Sequence, residues 1–355
     1  MPQPDARLAL IQDWLVRDLN LAVERIEPAS SDASFRRYFR VFGPQGTCIV
    51  MDAPPEREDV RPYLKVSALL EELGAHVPHV FETDVPRGLL RLEDLGSTLY
   101  LARLMGGADP ELLYGDALAL LAHIQARGGA AAAQLAPYDR EALHRELALM
   151  PEWFCLRHLQ LELSAGDREL LAEAFEFLIG AGLAQPQVFV HRDYHSRNLM
   201  VLEERGPGVL DFQDALRGPL GYDLVSLLKD CYISWPRERV EGWVRGYHAE
   251  LRRRGGAAGV DPRDLLEWFD VIGVQRHLKV LGIFARLWYR DGKPGYLGDL
   301  PLTLAYVVDA CARYPQLQEL GRWLEQHAVP RLGAANARAL ARSGESAAST
   351  TLQRA

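Results

Sequence analysis

Leu8, Ile11, Leu15 and Leu19 recur at the spacing of one helix face, so residues 7–20 predict an amphipathic helix. The rhythm then shortens. Arg36–Phe42 and Thr47–Met51 are β-rich runs parted by Gly43-Pro44-Gln45-Gly46, a turn signature, and residues 23–52 predict a strand meander. Val60, Leu64, Val66, Leu69, Leu70 and Leu73 return to helical spacing over residues 57–74, with Gly74 as the C-cap. Val77–Phe81 and Gly88–Leu92 predict two more strands. From residue 99 the pattern is helical, over 99–105, 111–127, 139–149, 167–182, 237–254, 262–290 and 299–328. The Gly- and Ala-rich stretch 128–133 predicts a mobile loop. Residues 333–355 are small and polar and predict a disordered tail.

One stretch interrupts the helices. Val188–Val190 and Leu199–Leu202 are short apolar runs around a loop that carries His191, Asp193, His195 and Asn198. A second run, Gly208–Gln213, has Asp211 near its end. Two buried hairpin strands would deliver Asp193, Asn198 and Asp211 to one edge. Phosphoryl transfer needs such a set: one carboxylate to orient and deprotonate a hydroxyl, and hard oxygen donors for the Mg²⁺ that bridges the phosphates. A polar loop whose Asp and Asn only cap turns is the ordinary reading of a lone His-x-Asp. The Asn spacing, the flanking strands and the following Asp-Phe together favour the chemistry. Upstream, Ser31 and Ser34 lie in a small, hydroxyl-rich segment that can offer backbone N–H groups to phosphate, though it holds no glycine. Glu93–Leu95 reads equally as a hinge offering backbone groups to an adenine edge and as a strand ending in a Gly turn. Asp223 falls in the first turn of a new helix, where a carboxylate is favoured, or points back to brace the loop.

Composition narrows the class. The chain has 355 residues, 48% of them hydrophobic, enough for one two-lobed unit or two domains. A net charge of −8 argues against nucleic acid as a partner. Cys48, Cys155, Cys231 and Cys311 are scattered and suggest neither a zinc site nor disulfides. No apolar run reaches the roughly 20 residues of a membrane span, and Asp5, Arg7 and Asp13 break any signal-peptide core. The expected compartment is the cytoplasm.

His191-Arg192-Asp193, followed by Asn198, matches the kinase catalytic-loop pattern, and Asp211-Phe212-Gln213 stands where kinases carry Asp-Phe-Gly. With His195 and the Gly218-Pro219 to Tyr222-Asp223 turn, the chain resembles the aminoglycoside phosphotransferase-like branch of the protein-kinase-like fold over residues 25 to 330. The resemblance implies an α+β, two-lobed molecule: a β-rich, ATP-binding N-lobe over 1–95, a hinge, and a helical C-lobe over 96–332. It implies ATP and Mg²⁺ as cofactors, Asp193 as catalytic base, and Asn198 and Asp211 as metal ligands. It also places His195 near the transferred phosphate and gives Asp223 a bracing role. His191 is expected to fix the loop. Ser31–Arg40, Met51–Pro55 and Gln275–Arg286 further resemble a bacterial subgroup that phosphorylates the anomeric hydroxyl of N-acetylmuramate and N-acetylglucosamine in cell-wall recycling. That implies a small amino sugar as partner.

The chain departs from the kinase pattern where a Lys is expected on the third small-lobe strand: Ile49-Val50-Met51-Asp52 has none. Arg37 or Arg40 is the expected substitute. Only eight positions separate Asp211 from Pro219, too few for a peptide-holding activation segment, so the substrate is expected to be small. Over 271–290, Val274, Leu278, Leu281, Ala285 and Trp288 share a stripe, and Arg276, Lys279, Arg286 and Arg290 face the other way. Such cations usually form a solvated face; alternatively Arg276 or Lys279 meets an anionic substrate. Tyr232 and Trp235 either stack on a sugar ring or belong to the core. Rival substrates are an aminoglycoside, choline or homoserine, and a rival class is a catalytically silent nucleotide-binding module. Oligomeric state is not legible.

Overall fold

The computed structural model describes residues 5–31, 35–202, 206–256 and 259–352. The chain divides into two compact units: Met1–Leu120 with Ser196–Ala215, and Leu121–His195 with Leu216–Ala355. The expected boundary at residue 95 therefore differs from the observed one. Backbone pairing explains the difference. The small hairpin β7 (Leu199–Met200) and β8 (Gly208–Val209) is bound to the first unit. Val201 N–H donates to Thr98 C=O at 2.8 Å, and Val209 N–H to His76 C=O at 2.8 Å.

The first unit is built on an antiparallel sheet of β1 (Arg25–Ser31), β2 (Arg37–Gly43), β3 (Gly46–Asp52), β4 (Val80–Asp84) and β5 (Leu89–Glu93), in the order β1-β2-β3-β5-β4. The turn expected at Gly43–Gly46 closes the β2–β3 hairpin, with Gly43 opposite Gly46 and Arg37 opposite Asp52. Helix α1 (Ala6–Asp13) begins at Asp5, whose carboxylate accepts from the N–H groups of Arg7 and Leu8. It packs Ile11, with Trp14 and Leu15 just beyond it, on Phe39, Val41 and Val50 of the sheet. Asp52 is fully buried and accepts from both Arg7 (2.8 Å to Nε) and Arg37 (2.7 Å to Nη2). Helix α2 (Arg61–Glu72) follows, and Gly74 beyond its end takes the left-handed φ of +73° expected of it. Helices α3 (Tyr100–Met105) and α4 (Pro110–Arg127) come next, and within α4 the chain leaves this unit.

The second unit contains the antiparallel pair β6 (Gln187–Val190) and β9 (Leu216–Pro219). Its helices are α5 (Gly129–Ala132), α6 (Arg140–Leu147), α7 (Ala165–Ala184), α8 (Tyr222–Leu228), α9 (Arg237–Arg253), α10 (Pro262–Asp291), α11 (Leu300–Cys311), α12 (Gln318–His327) and α13 (Val329–Leu352). At 1.5 Å per residue the 30-residue α10 is about 45 Å long. It packs against α6, α7, α8, α9 and α11, and every residue from Phe269 to Gly282 is buried. At Gly282 it approaches the Met150–His158 helix so closely that a Cβ would lie 2.4 Å from the Leu149 carbonyl carbon.

Three expectations are corrected here. Residues 128–133 are a turn of helix rather than a mobile loop, because Ala131 and Ala132 are buried. The segment after residue 332 is helical to Leu352 rather than disordered. Leu332, Ala335 and Ala339 make a buried stripe, and Asn336 Oδ1 lies 2.8 Å from His158 Nε2. Alanine is the strongest helix former, so a small, polar composition there still supports a helix. Residues 353–355 lie outside the described chain. Finally, Arg276 and Lys279 do not form a solvated face. They are 4% and 6% exposed, because they lie in the enclosed middle of α10, residues 269–282.

Candidate active site

In the second unit, β6 ends at the buried Val190 and hands the chain to His191. Both carboxylate oxygens of Asp223, in the first turn of α8, hold this loop: Oδ2 accepts from His191 N–H at 2.7 Å and Oδ1 from Arg192 N–H at 2.9 Å. From the first turn of α8, Asp223 thus points back to the loop. Arg192 has φ +79°, a strained conformation for a non-glycine residue of the kind that collects at functional sites. Burial pushes the Asp223 carboxyl up to about 7, against its two N–H bonds. His191 is buried, and its Nδ1 accepts from Asp193 N–H at 3.2 Å. The ring thus meets the loop backbone through Nδ1.

Asp193 projects from this loop half-buried. Burial raises its pKa, but the charges of Lys279, His195, Arg276 and Arg192 together bring it down to about 2. It is therefore a carboxylate at any physiological pH. Sequence reasoning missed the centre of the surrounding network, Glu146 on α6. Glu146 accepts from Arg192 Nη2 and from the Tyr138 hydroxyl, and lies 3.3 Å from Lys279 Nζ. Lys279 in turn donates to the Tyr222 hydroxyl at 3.0 Å. Burial opposes ionisation of Glu146, yet Lys279 and Arg192 hold it below the ordinary glutamate value. A signal existed: Glu146 sits between Leu143 and Leu147, both fully buried, on the inward face of α6. Tyr232 is brought to the loop, its ring 5.6 Å from that of His195. Trp235 packs edge-on against Trp243 of α9 at 5.7 Å, under Arg239.

The first unit carries the other expected residues. The β7–β8 hairpin sets Asn198 beside Asp211, with Asn198 Nδ2 donating to Asp211 Oδ2 at 3.4 Å and Asn198 C=O accepting from Leu210 N–H at 2.9 Å. Asp211 has φ +60°, the second strained loop residue. Its Oδ1 accepts from Gln213 Nε2 at 2.8 Å and from Arg36 Nη2 at 3.2 Å. Phe212 is buried on Tyr63 of α2, ring centres 4.7 Å apart. An Asp carboxylate beside an Asn side-chain oxygen suits Mg²⁺, which takes one or two protein ligands and completes its shell with water and phosphate. Among the described residues no cluster of three His, Cys, Asp or Glu side chains offers a competing metal site.

Arg37 and Arg40, the expected substitutes for the missing Lys, are each held in ion pairs. Arg37 is held by Asp52 and Asp5. Arg40 grips Asp94 through two hydrogen bonds (2.7 and 3.0 Å) and the Gly96 carbonyl at 2.7 Å, so it orders the chain after β5. Glu93 closes β5 with its side chain 3.1 Å from His76 Nε2, and Leu95 lies beside Gly208 of β8. Ser31 ends β1 opposite Arg37, and Ser34 lies outside the described residues.

A sheet unit of this kind with a mostly helical unit is the protein-kinase-like fold. Choline kinase LicA from Streptococcus pneumoniae is similar in structure (TM-score 0.60, 12% identity, covering 87% of this chain and 100% of that one). So is the ADP-bound aminoglycoside phosphotransferase APH(2'')-Ib (TM-score 0.55, 15% identity, 86% and 99%). The sequence profile of the phosphotransferase enzyme family matches residues 25–259, and the chain belongs to that family as a small-molecule kinase. It is 48% identical over 299 residues to the N-acetylmuramate/N-acetylglucosamine kinase of Pseudomonas aeruginosa, covering 84% of this chain and 87% of that one. It is 42% identical over 340 residues to the protein of the same name from Pseudomonas putida, covering 92% and 98%.

Proposed function

We propose that this chain transfers the γ-phosphoryl group of ATP to the anomeric hydroxyl of N-acetylmuramate and N-acetylglucosamine, giving the sugar 1-phosphate. The observation that carries the reading is the loop of Asp193, braced by both oxygens of Asp223, in a chain more than 40% identical to kinases named for these sugars. Asp193 accepts a hydrogen bond from the anomeric hydroxyl, orients it, and takes its proton as the new bond to phosphorus forms. A carboxylate with a pKa near 2 is a weak base. That is sufficient for a loose transition state, in which the hydroxyl is acidified late, and an anomeric hydroxyl is already more acidic than an ordinary alcohol. Most of the rate then comes from positioning and electrostatics. Asn198 and Asp211 are the residues that would hold Mg²⁺, which supplies charge neutralisation at the phosphates when bound. Glu93–Leu95 would offer backbone groups to the adenine, with His195 near the phosphate.

The buried cations Arg276 and Lys279 around Asp193 favour a neutral or anionic acceptor over a polycationic aminoglycoside. N-acetylmuramate carries a carboxylate that suits Arg. No helix among the described residues is long and apolar enough to cross a membrane. The reading places the protein in the cytoplasm, in peptidoglycan recycling, where a sugar 1-phosphate is ready for nucleotidyl transfer.

The test is ADP release over a panel of N-acetylmuramate, N-acetylglucosamine, kanamycin, choline and homoserine, with Asp193→Asn alongside. Turnover on the amino sugars is expected, reduced about 10²–10⁴-fold in the variant, with phosphorus NMR placing the phosphate on the anomeric oxygen. Turnover on kanamycin alone overturns the substrate. Nucleotide binding without turnover on any acceptor overturns the activity.

A further inference from the structure

The strand that carries a lysine in related kinases carries Asp52 here, and that carboxylate is buried under Arg7 and Arg37. Within the same unit Arg40 is committed to Asp94, Arg91 to Glu82, and Arg87 to Asp84 and Asp18. Arg36 differs in its partner. Its Nη2 lies 3.2 Å from Oδ1 of Asp211, the carboxylate expected to meet the metal, and its side chain is only 10% exposed. Its charge also acts on the buried Tyr63, which packs on Phe212.

We propose that Arg36 is the cation that steadies the nucleotide's β- and γ-phosphates in this protein, replacing the absent strand lysine; the inference rests on the kinase reading above. The backbone on both sides of Arg36 is anchored. Phe35 N–H donates to Glu58 at 3.1 Å, with Arg57 over the Phe35 ring at 4.6 Å. On the other side Arg37 is fixed by Asp52. Arg36 is thereby aimed at the hairpin that carries Asn198 and Asp211. Arg36 is paired with the Asp211 carboxylate. Asp211 would hold the divalent ion and Arg36 beside it would supply positive charge to the phosphates, for which its planar fork is suited. The device answers how β3 can do without a lysine: the cation enters from the residue before β2.

The experiment compares ADP and adenosine binding by calorimetry, with Mg²⁺, to the full chain and to Arg36→Ala, Arg36→Gln and Arg36→Lys. Melting temperatures without ligand confirm folding, and Arg36→Gln carries the comparison if Arg36→Ala does not fold. ADP affinity is expected to fall about 10- to 100-fold in the uncharged variants, the size of a lost hydrogen bond to a charged group. Adenosine affinity stays unchanged, and Arg36→Lys recovers part of the loss. Equal losses for ADP and adenosine overturn the proposal, as does unchanged ADP affinity in a folded, uncharged variant. A wild-type chain that binds neither ligand overturns the kinase reading and this inference together, whereas ADP binding indifferent to Arg36 removes the inference alone.

Discussion

At the scale of single residues, the site sets two carboxylates against each other. Asp193 sits among cations and stays ionised to about pH 2, while Asp223 is enclosed and pushed up to about 7 by burial. The signs of their contributions to stability are opposite. Asp193 stabilises the folded chain above its unfolded value, and that contribution is lost as pH falls toward 2. Asp223, raised from 3.8, contributes most below pH 4, and the contribution is lost as pH rises through about 7. The loss is of order 4 kcal/mol at most. Asp223→Asn, which cannot ionise, is therefore expected to lack this part of the pH dependence. Denaturant midpoints of wild type and variant, measured from pH 4 to pH 8, should shift relative to each other, with wild type losing ground as pH rises. A constant difference between them would mean that Asp223 does not titrate in that range. The left-handed backbone at Arg192 and Asp211 belongs to this scale too. Strain at two loop residues that present the expected chemistry is what the surrounding hydrogen bonds sustain.

At the scale of elements, Glu146 joins three of them: α6, the Asp193 loop through Arg192, and α10 through Lys279. Glu146→Gln keeps the shape and removes the charge, leaving Arg192 and Lys279 buried without their shared counter-ion. A cost of about 3–5 kcal/mol in stability is expected, as for other broken buried pairs. Adding Lys279→Met should restore part of it, because the two residues are in contact and their effects are not additive. Nucleotide KM should hold while kcat falls, since Glu146 acts through the loop and not on the nucleotide. Additive losses in the double variant would remove Glu146 from its positioning role. These elements also show what a sequence can and cannot tell. The meander of residues 23–52, the Gly43–Gly46 turn and the loop with Asp193 and Asn198 were legible, because period and turn chemistry are local. The burial of Arg276 and Lys279 was not. Their spacing on α10 is that of any solvated face, and only the packing of α6, α7, α8, α9 and α11 around that helix encloses them. Arg36 was also missed. Three arginines crowd residues 36–40, and which carboxylate each one meets is decided by β2–β3 register, Asp5 and Asp94, contacts far apart in sequence.

At the scale of the whole molecule, the chain crosses from one compact unit to the other between His195 and Ser196, in the middle of the motif that identifies it. The proposed nucleotide and metal residues, Arg36, Asn198 and Asp211, belong to the sheet unit. The proposed base and its supports, Asp193, Asp223, Glu146 and Lys279, belong to the helical unit. A division of labour follows, in which each ligand orders mainly the unit that holds its contacts. Amide hydrogen exchange tests this, since ligand binding suppresses local opening where the contacts are made. Mg²⁺–ADP is expected to slow exchange over residues 35–43 and 198–213. N-acetylmuramate is expected to slow it over 191–195 and 229–235, where Tyr232 meets His195. Protection by the sugar over 198–213, with none over 191–195, would transfer acceptor recognition to the sheet unit and displace Asp193 from the role of base.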